Sequence, residues 1–251
     1  MKIYSLLLLF TFSYNASSGQ ELEKRHHKIV LDFIKTIKSQ DKKGLALKTL
    51  YPLKRQYPIP AIENEQDLIN RYDTLFDDKL VKTIVNSDPA TDWQEVGWRG
   101  IMLSNGIIWL DYDGKLRSIN NQTTAELKLR NNLVKADKDR LNPALKSFIR
   151  PILILETSKF LIRIDDLGSG NYRYASWPLK GSMKDKPALI LTKGQVIPDG
   201  SGGNHTYVFK NEHLTYECAI INVSESSNSP DALLIISKDG KEISNSDAKI
   251  L

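Results

Sequence analysis

The chain has 251 residues, 41% of them hydrophobic, with 35 Lys and Arg against 30 Asp and Glu and one cysteine. A formal net charge of +5 is too mild to argue for a nucleic-acid partner, and a single thiol excludes an intramolecular disulfide framework. The length and hydrophobic content suffice for one large core or two ordinary ones.

In residues 1–19, Lys2 precedes an apolar run from Ile3 to Phe12, with Leu6-Leu7-Leu8-Leu9 at its centre, and then the small polar stretch Asn15-Ala16-Ser17-Ser18-Gly19. A basic start, a short apolar middle and small residues before the cut predict a secretory signal peptide cleaved after Gly19 or Ser18. The run is shorter than the roughly twenty apolar residues that span a bilayer, and the rest of the chain has no second such run. No cysteine stands beside the cut to carry an acyl anchor. These features predict a secreted or periplasmic product with no transmembrane segment after cleavage. Its net charge is +4 once Lys2 is removed, with ten basic residues concentrated between Lys24 and Arg55. That concentration reads as a solvated helix face, or as a field that attracts an anionic envelope surface.

Residues 20–122 form the first predicted domain. Leu22, Ile29, Val30, Phe33, Ile34 and Ile37 recur at helical spacing. Leu45, Leu47 and Leu50 predict a short second helix, stopped by Pro52, Pro58 and Pro60. Asn64 is placed to cap a third helix through Leu68, Ile69, Tyr72, Leu75 and Phe76, and Leu80–Val85 forms another short element. A three-strand meander follows: Trp93 to Leu103, Ile107 to Tyr112 and Lys115 to Ile119. Its turns, Asn105-Gly106 and Asp113-Gly114, tolerate the positive φ angles of tight hairpins. Residues 123–147 return to a helical pattern that predicts a connecting helix broken near Pro143.

From residue 148 the pattern becomes short strands: Ile152–Glu156, Phe160–Ile164, Tyr172–Trp177, Ala188–Leu191, Thr206–Phe209, Leu214–Ile221, Leu233–Ile236 and Lys241–Ile243. Glycine-rich turns separate them, which predicts an antiparallel β barrel or sandwich over 148–251. The fold class is therefore α+β: an N-terminal helix-plus-meander domain, a linker helix and a C-terminal all-β domain.

In the first domain, the helix end Lys38-Ser39-Gln40-Asp41-Lys42, the segment Tyr51-Pro52-Leu53, the helix Asp67-Leu68-Ile69-Asn70-Arg71-Tyr72 with Phe76, and Gly97-Trp98-Arg99-Gly100 with Gly106-Ile107-Ile108-Trp109 resemble the NTF2-like superfamily. The resemblance covers about residues 22–120 and rests on pattern. It implies helices closing over a curved sheet to leave a pocket, which the superfamily uses for enzymes, small ligands and protein contacts. In the second domain, Ser169-Gly170-Asn171-Tyr172-Arg173-Tyr174-Ala175-Ser176-Trp177 with Lys180-Gly181, and Tyr216-Glu217-Cys218, are similar to parts of the membrane-bound C-type lysozyme inhibitors. Here the Tyr-x-Cys element comes second and lacks a disulfide partner.

No nucleophile elbow and no His-Glu-x-x-His helix is present, so no catalytic residue is assigned. His26 and His27 are adjacent and diverge on a helix, and with His205 and His213 they give no ligand spacing for a metal. No cofactor is expected. Asp165-Asp166 reads as a solvated turn. Cys218, in an alternating segment, reads as a small buried apolar side chain.

Recognition is better supported by the residue types. Arg163, Tyr172, Arg173, Tyr174, Ser176, Trp177 and Lys180 gather aromatic, cationic and hydroxyl groups in one short region, the types that anchor interfaces. Core packing of the Tyr and Trp rings is the competing reading. Trp93, Arg99 and Trp109 are pocket candidates in the first domain. The expected function is a secreted or periplasmic binding protein for a protein or envelope component. The alternatives are a lysozyme-type hydrolase inhibitor, and a small-ligand carrier or enzyme using an NTF2-like pocket.

Overall fold

The computed structural model describes residues 20–200, 202–224, 226 and 228–251; the signal peptide read from residues 1–19 lies outside them. The described chain divides into two compact units, one of residues 20–54 and 61–125, the other of residues 55–60 and 126–251. No helix among the described residues is long and apolar enough to cross a membrane.

The first unit carries β1 (Gln20–Glu21), α1 (His27–Lys38), α2 (Lys42–Leu47), α3 (Glu65–Leu75) and α4 (Asp78–Val85). Four short strands follow: β2 (Trp93–Glu95), β3 (Ile101–Leu103), β4 (Ile108–Leu110) and β5 (Leu116–Ile119). Three helix starts are capped as their sequences require. Asp41, Asn64 and Asp77 each accept the amide three residues on, from Gly44, Asp67 and Leu80. Val30, Phe33 and Ile37 of α1 meet Leu68, Tyr72 and Leu75 of α3, Leu80 and Ile84 of α4, and the inward residues of the meander in one core. The strands form a five-stranded sheet in the order β1-β2-β3-β4-β5. The meander differs from expectation in one respect. The strand predicted over Trp93–Leu103 is two strands, because the backbone turns at Gly97 and Gly100, both at positive φ.

The second unit takes α5 (Thr124–Asp139) from Glu126 onward, a 3-10 turn at Pro143–Leu145, and eight strands. These are β6 (Arg150–Thr157), β7 (Phe160–Gly168), β8 (Asn171–Pro178), β9 (Leu189–Asp199), β10 (Asn204–Asn211), β11 (Leu214–Ile220), β12 (Ala232–Lys238) and β13 (Lys241–Ile250). All neighbours are antiparallel, and β9 pairing with β10 and β13 with β6 closes the barrel. Eight strands enclose a space about wide enough for side chains to fill. Here Leu155, Ile162, Ile164, Tyr174, Phe209, Cys218, Ile220 and Leu234 fill it. Cys218 is fully buried, and burial pushes its thiol up to about 12, so it acts as a packed apolar group. Segment 55–60 belongs to this unit through specific bonds. Arg55 Nε donates to Glu126 Oε1 at 2.8 Å, and the Tyr57 carbonyl accepts from Arg130 Nε at 3.3 Å.

Gly194 of β9 lies flat against the Phe209 ring, where an added Cβ would sit 2.1 Å from a ring carbon. Gly194→Ala therefore displaces the Phe209 ring in the barrel interior, and urea unfolding is expected to show a loss of about 1–3 kcal/mol. An unchanged midpoint would mean that the interior is looser than this packing.

Candidate functional site

Of the seven residues expected to recognise a partner, the structure buries five. Tyr174 and Ser176 point into the barrel, where the Tyr174 ring lies 5.5 Å from Phe209 and 5.7 Å from Tyr216. Arg173 and Trp177 occupy the opposite face of β8 and are buried too, with Trp177 and Ala175 packed against Leu141, Leu145 and Phe148. The strand is covered on both sides, so its alternation marks two interior faces rather than one core face and one recognition face. Tyr172 is half-buried beside Tyr207, and Lys180 is exposed. Tyr172 lies near the start of β8 and Lys180 beyond its end, and the run from Tyr172 to Pro178 is about 20 Å long at ~3.3 Å per residue, so they do not form one patch.

Arg163 and Arg173 belong to a buried layer of charge. Asp165, read from the sequence as a solvated turn residue, is fully buried between them. Arg163 Nε donates to Asp165 Oδ1 at 2.8 Å, and Arg173 Nη2 donates to Asp165 Oδ2 at 2.6 Å. Arg173 also donates to the carbonyls of Leu145 and Ser147, at 2.6 and 3.1 Å, and so ties down the segment after α5. Arg163 Nη2 stands 2.7 Å from Asp137 Oδ2 of α5, off the line of its N–H bonds. That is a charge contact more than a directed hydrogen bond. The Arg163 guanidinium also stacks 5.1 Å from the Phe148 ring. Burial works to lower the Arg163 pKa, but the carboxylates of Asp165 and Asp137 outweigh it and hold the value above that of free arginine. These arginines hold α5 and the Pro143 turn against the barrel wall, which corrects their reading as recognition groups.

The pocket candidates separate. Trp93 is fully buried in the first core, edge-on to Phe33 at 6.0 Å, and its indole N–H is satisfied by Ser87 Oγ at 2.9 Å. It fills space instead of lining a cavity. A small cleft of about 80 Å³ opens elsewhere, between α1, Leu45, Lys48 and the Asp113-Gly114 turn. Organic ligand pockets hold roughly 300–1,000 Å³.

Arg99 and Trp109 do come together, with the guanidinium 5.6 Å above the indole, an attractive cation–π geometry. Gly106 leaves the Trp109 ring room, since a Cβ there would lie 2.9 Å from Nε1. Between Val96 and Gly100 the chain makes the turn that divides the predicted strand. Gly100 has φ +100°, and a Cβ on it would sit 2.2 Å from the Leu110 carbonyl oxygen, so only glycine fits. The turn projects Trp98, 56% exposed. Its backbone is held from outside: Tyr112 hydroxyl donates to the Gly97 carbonyl at 2.8 Å, and Arg117 Nη1 donates to the Arg99 carbonyl at 3.2 Å. Tyr112 is itself 38% exposed, and its ring lies 5.1 Å from His26. His26 Nδ1 is 2.7 Å from Glu95 Oε1, which also accepts the Glu23 amide at 2.8 Å. Burial works to raise the Glu95 pKa. The His26 bond, the Glu23 amide and the charges of His26 and Arg25 outweigh burial and hold the carboxyl below its usual value. Trp98, Tyr112 and Arg117 were not singled out from the sequence. The available signal was two glycines three residues apart inside a supposed strand.

The other histidines serve locally. His27 Nε2 is 3.1 Å from the Leu22 carbonyl oxygen, His205 Nδ1 lies 2.9 Å from Gly203 O, and His213 pairs with Asp239 at 2.8 Å. Among the described residues no group of three or more His, Cys, Asp or Glu side chains converges as a metal site would.

Comparison with models of protein families, with curated proteins and with solved structures finds no match to this chain. Two outcomes check the geometry of the buried charges. Asp165→Asn leaves two buried guanidinium groups short of their shared carboxylate and is expected to cost about 3–5 kcal/mol in urea unfolding. Lys180→Ala is expected to stay within about 0.5 kcal/mol; equal effects would refute the buried layer. The depressed Glu95 carboxyl adds stability that is present above the unfolded carboxyl value of about 4.3 and is lost as pH falls through its lower folded value. Glu95→Gln should therefore flatten the acid limb of a stability–pH curve below about pH 4.3.

Proposed function

We propose that the chain is an exported binding protein that recognises a protein or envelope component through the braced Gly97–Gly100 turn and the Arg99–Trp109 face beside it. The observation that carries this reading is Trp98, exposed on a turn whose backbone is fixed by Tyr112, Arg117 and the Gly100 contact. Exposing a large apolar ring to water is unfavourable in the free protein, and a fixed backbone removes most of the ordering cost of burying that ring against a partner. Trp, Tyr and Arg side chains in such a cluster are the types that dominate measured interface energies.

The four helices and meander around one core support the NTF2-like reading of this unit as a scaffold. The burial of Trp93 weighs against its use as a ligand carrier. The hydrolase-inhibitor alternative loses Ser176, which lies inside the barrel, and keeps only Lys180 as an exposed group able to reach an enzyme's carboxylates.

The test is capture from the native envelope fraction with the mature chain and with a Trp98→Ala/Arg99→Ala variant whose melting temperature is checked first. Loss of a hot-spot pair is expected to weaken binding of the captured component by about 30-fold or more. A component retained equally by both proteins would move the site elsewhere. Inhibition of lysozyme by wild-type chain, abolished by Lys180→Ala, would replace this reading with the inhibitor one.

A further inference from the structure

The turn that displays Trp98 carries opposite charge at its two ends. Glu95 precedes its start, and Tyr112, whose hydroxyl holds the Gly97 carbonyl, stands in the chain between Asp111 and Asp113. These carboxylates serve other elements: Glu95 Oε1 faces His26 at 2.7 Å, Asp111 Oδ1 accepts the amides of Asp113 and Lys115, and Asp113 lines the small cleft beside α1. The end of the turn is cationic. Arg117 Nη1 donates to the carbonyls of Trp98 and Arg99, at 3.4 and 3.2 Å, which sets its guanidinium against the backbone of the turn. The Arg99 guanidinium lies over Trp109 of β4, whose cross-strand neighbour is Ser118, the residue after Arg117. Both cations are thus placed on this face by contacts of their own. Neither meets a carboxylate among the described residues, and Arg117 is exposed while Arg99 is half-buried. The indole attracts the Arg99 charge without accepting a hydrogen bond from it in the way an oxyanion does, and the turn's carbonyls take one nitrogen of Arg117. Each fork therefore still has donors for a carboxylate.

We infer that the Trp98 surface takes an acidic polypeptide segment, with an apolar side chain packed on Trp98 and Asp or Glu carboxylates paired with Arg99 and Arg117. This partner chemistry rests on the proposed use of that surface and adds to it the sign of the partner's charge. A carboxylate has the planar pair of oxygens that a guanidinium fork matches, and two arginines already held in place lose little freedom on pairing. A discrete segment fits better than an anionic bilayer. A bilayer is an extended plane, and it would meet Asp111 and Asp113 together with the arginines. A segment lying across the Gly100 end of the turn leaves those two acids in water, so only opposite charges face each other.

The experiment is fluorescence anisotropy with a labelled synthetic peptide that alternates Glu and Leu, titrated with the full mature chain. The same peptide with Gln or with Lys in place of Glu serves as comparison. The Glu peptide is expected to bind, the Gln peptide to bind about tenfold more weakly, and the Lys peptide not to bind. Raising sodium chloride from about 50 to 500 mM should weaken the Glu peptide by roughly tenfold. Arg99→Gln and Arg117→Gln should each weaken it by about tenfold. Lys28→Gln with Lys35→Gln, at two exposed positions of α1, should leave it within about twofold. No binding of the Glu peptide, equal binding of the Gln peptide, or an equal loss in the lysine variant, which would mean a diffuse basic field, overturns the inference. So does binding to vesicles of equal parts phosphatidylglycerol and phosphatidylcholine that Arg99→Gln abolishes. If Arg117→Gln lowers the melting temperature, Arg99→Gln decides. Should Trp98→Ala abolish capture of an envelope component while Arg99→Gln and Arg117→Gln retain it, the Trp98 surface stands and its acidic partner falls.

Discussion

A single carboxylate, Asp165, lets two arginines leave water on the outer wall of the barrel. Fully buried, it gives one oxygen to Arg163 and the other to Arg173. Each arginine then has capacity left for a second job: Arg173 binds two carbonyls of the segment after α5, and Arg163 faces Asp137 of the helix itself. Taking these ions from water costs several kcal/mol apiece, so the layer is weak evidence for net stability. It is better evidence for specificity, because helix, turn and strand satisfy one another's charges only in one register. A hydrophobic cover alone would allow α5 to slide along the wall.

The same logic, with backbone in place of charge, shapes the first unit. A strand from Trp93 to Leu103 would have been the simple solution for an alternating sequence. Gly97 and Gly100 break it, and the Leu110 carbonyl approaches Gly100 so closely that no side chain fits. Interrupting the ladder gives up strand pairing, and the return is a tight loop with Trp98 facing water. Tyr112 and Arg117 then spend their polar groups on that loop's carbonyls instead of on solvent. Structure that costs pairing to display an indole is easier to explain by a partner than by folding.

Much of the architecture was legible because its causes are local. Asn64 before Glu65 and Asp77 before Asp78 are caps that work on their own helices, and the glycines of the hairpins set strand ends by backbone conformation. All eight expected strands of the second unit are present, but β9 runs on past the expected Leu191 to Asp199 and β13 past Ile243 to Ile250. Barrel against sandwich was not legible, since closure depends on β9 meeting β10 and β13 meeting β6, pairings set by stagger across the whole sheet. The site failed for a similar reason. Arg, Tyr and Trp have the same letters whether they face a partner or a core, and β8 is covered on both sides by elements distant in sequence. One clue was present: Arg163 and Asp165 share a face at i and i+2, and the register about the Gly168–Asn171 turn sets Arg173 opposite Asp165. Opposite charges meeting in this way point to pairing, and pairing of that kind argues for burial.

The filled barrel then decides where any activity of the second unit can reside. An eight-stranded barrel becomes a ligand carrier only if small residues line its interior. This one places Phe209 and Tyr216 against Tyr174, Tyr207 against Tyr172, and Gly194 flat against Phe209, so the space a ligand would need is taken by rings. Opening it would mean unpacking several aromatic side chains at a few kcal/mol each. Chemistry in this unit is therefore confined to its loops and outer wall. On that wall the charges meet around Asp165, which lies between Arg163 and Arg173.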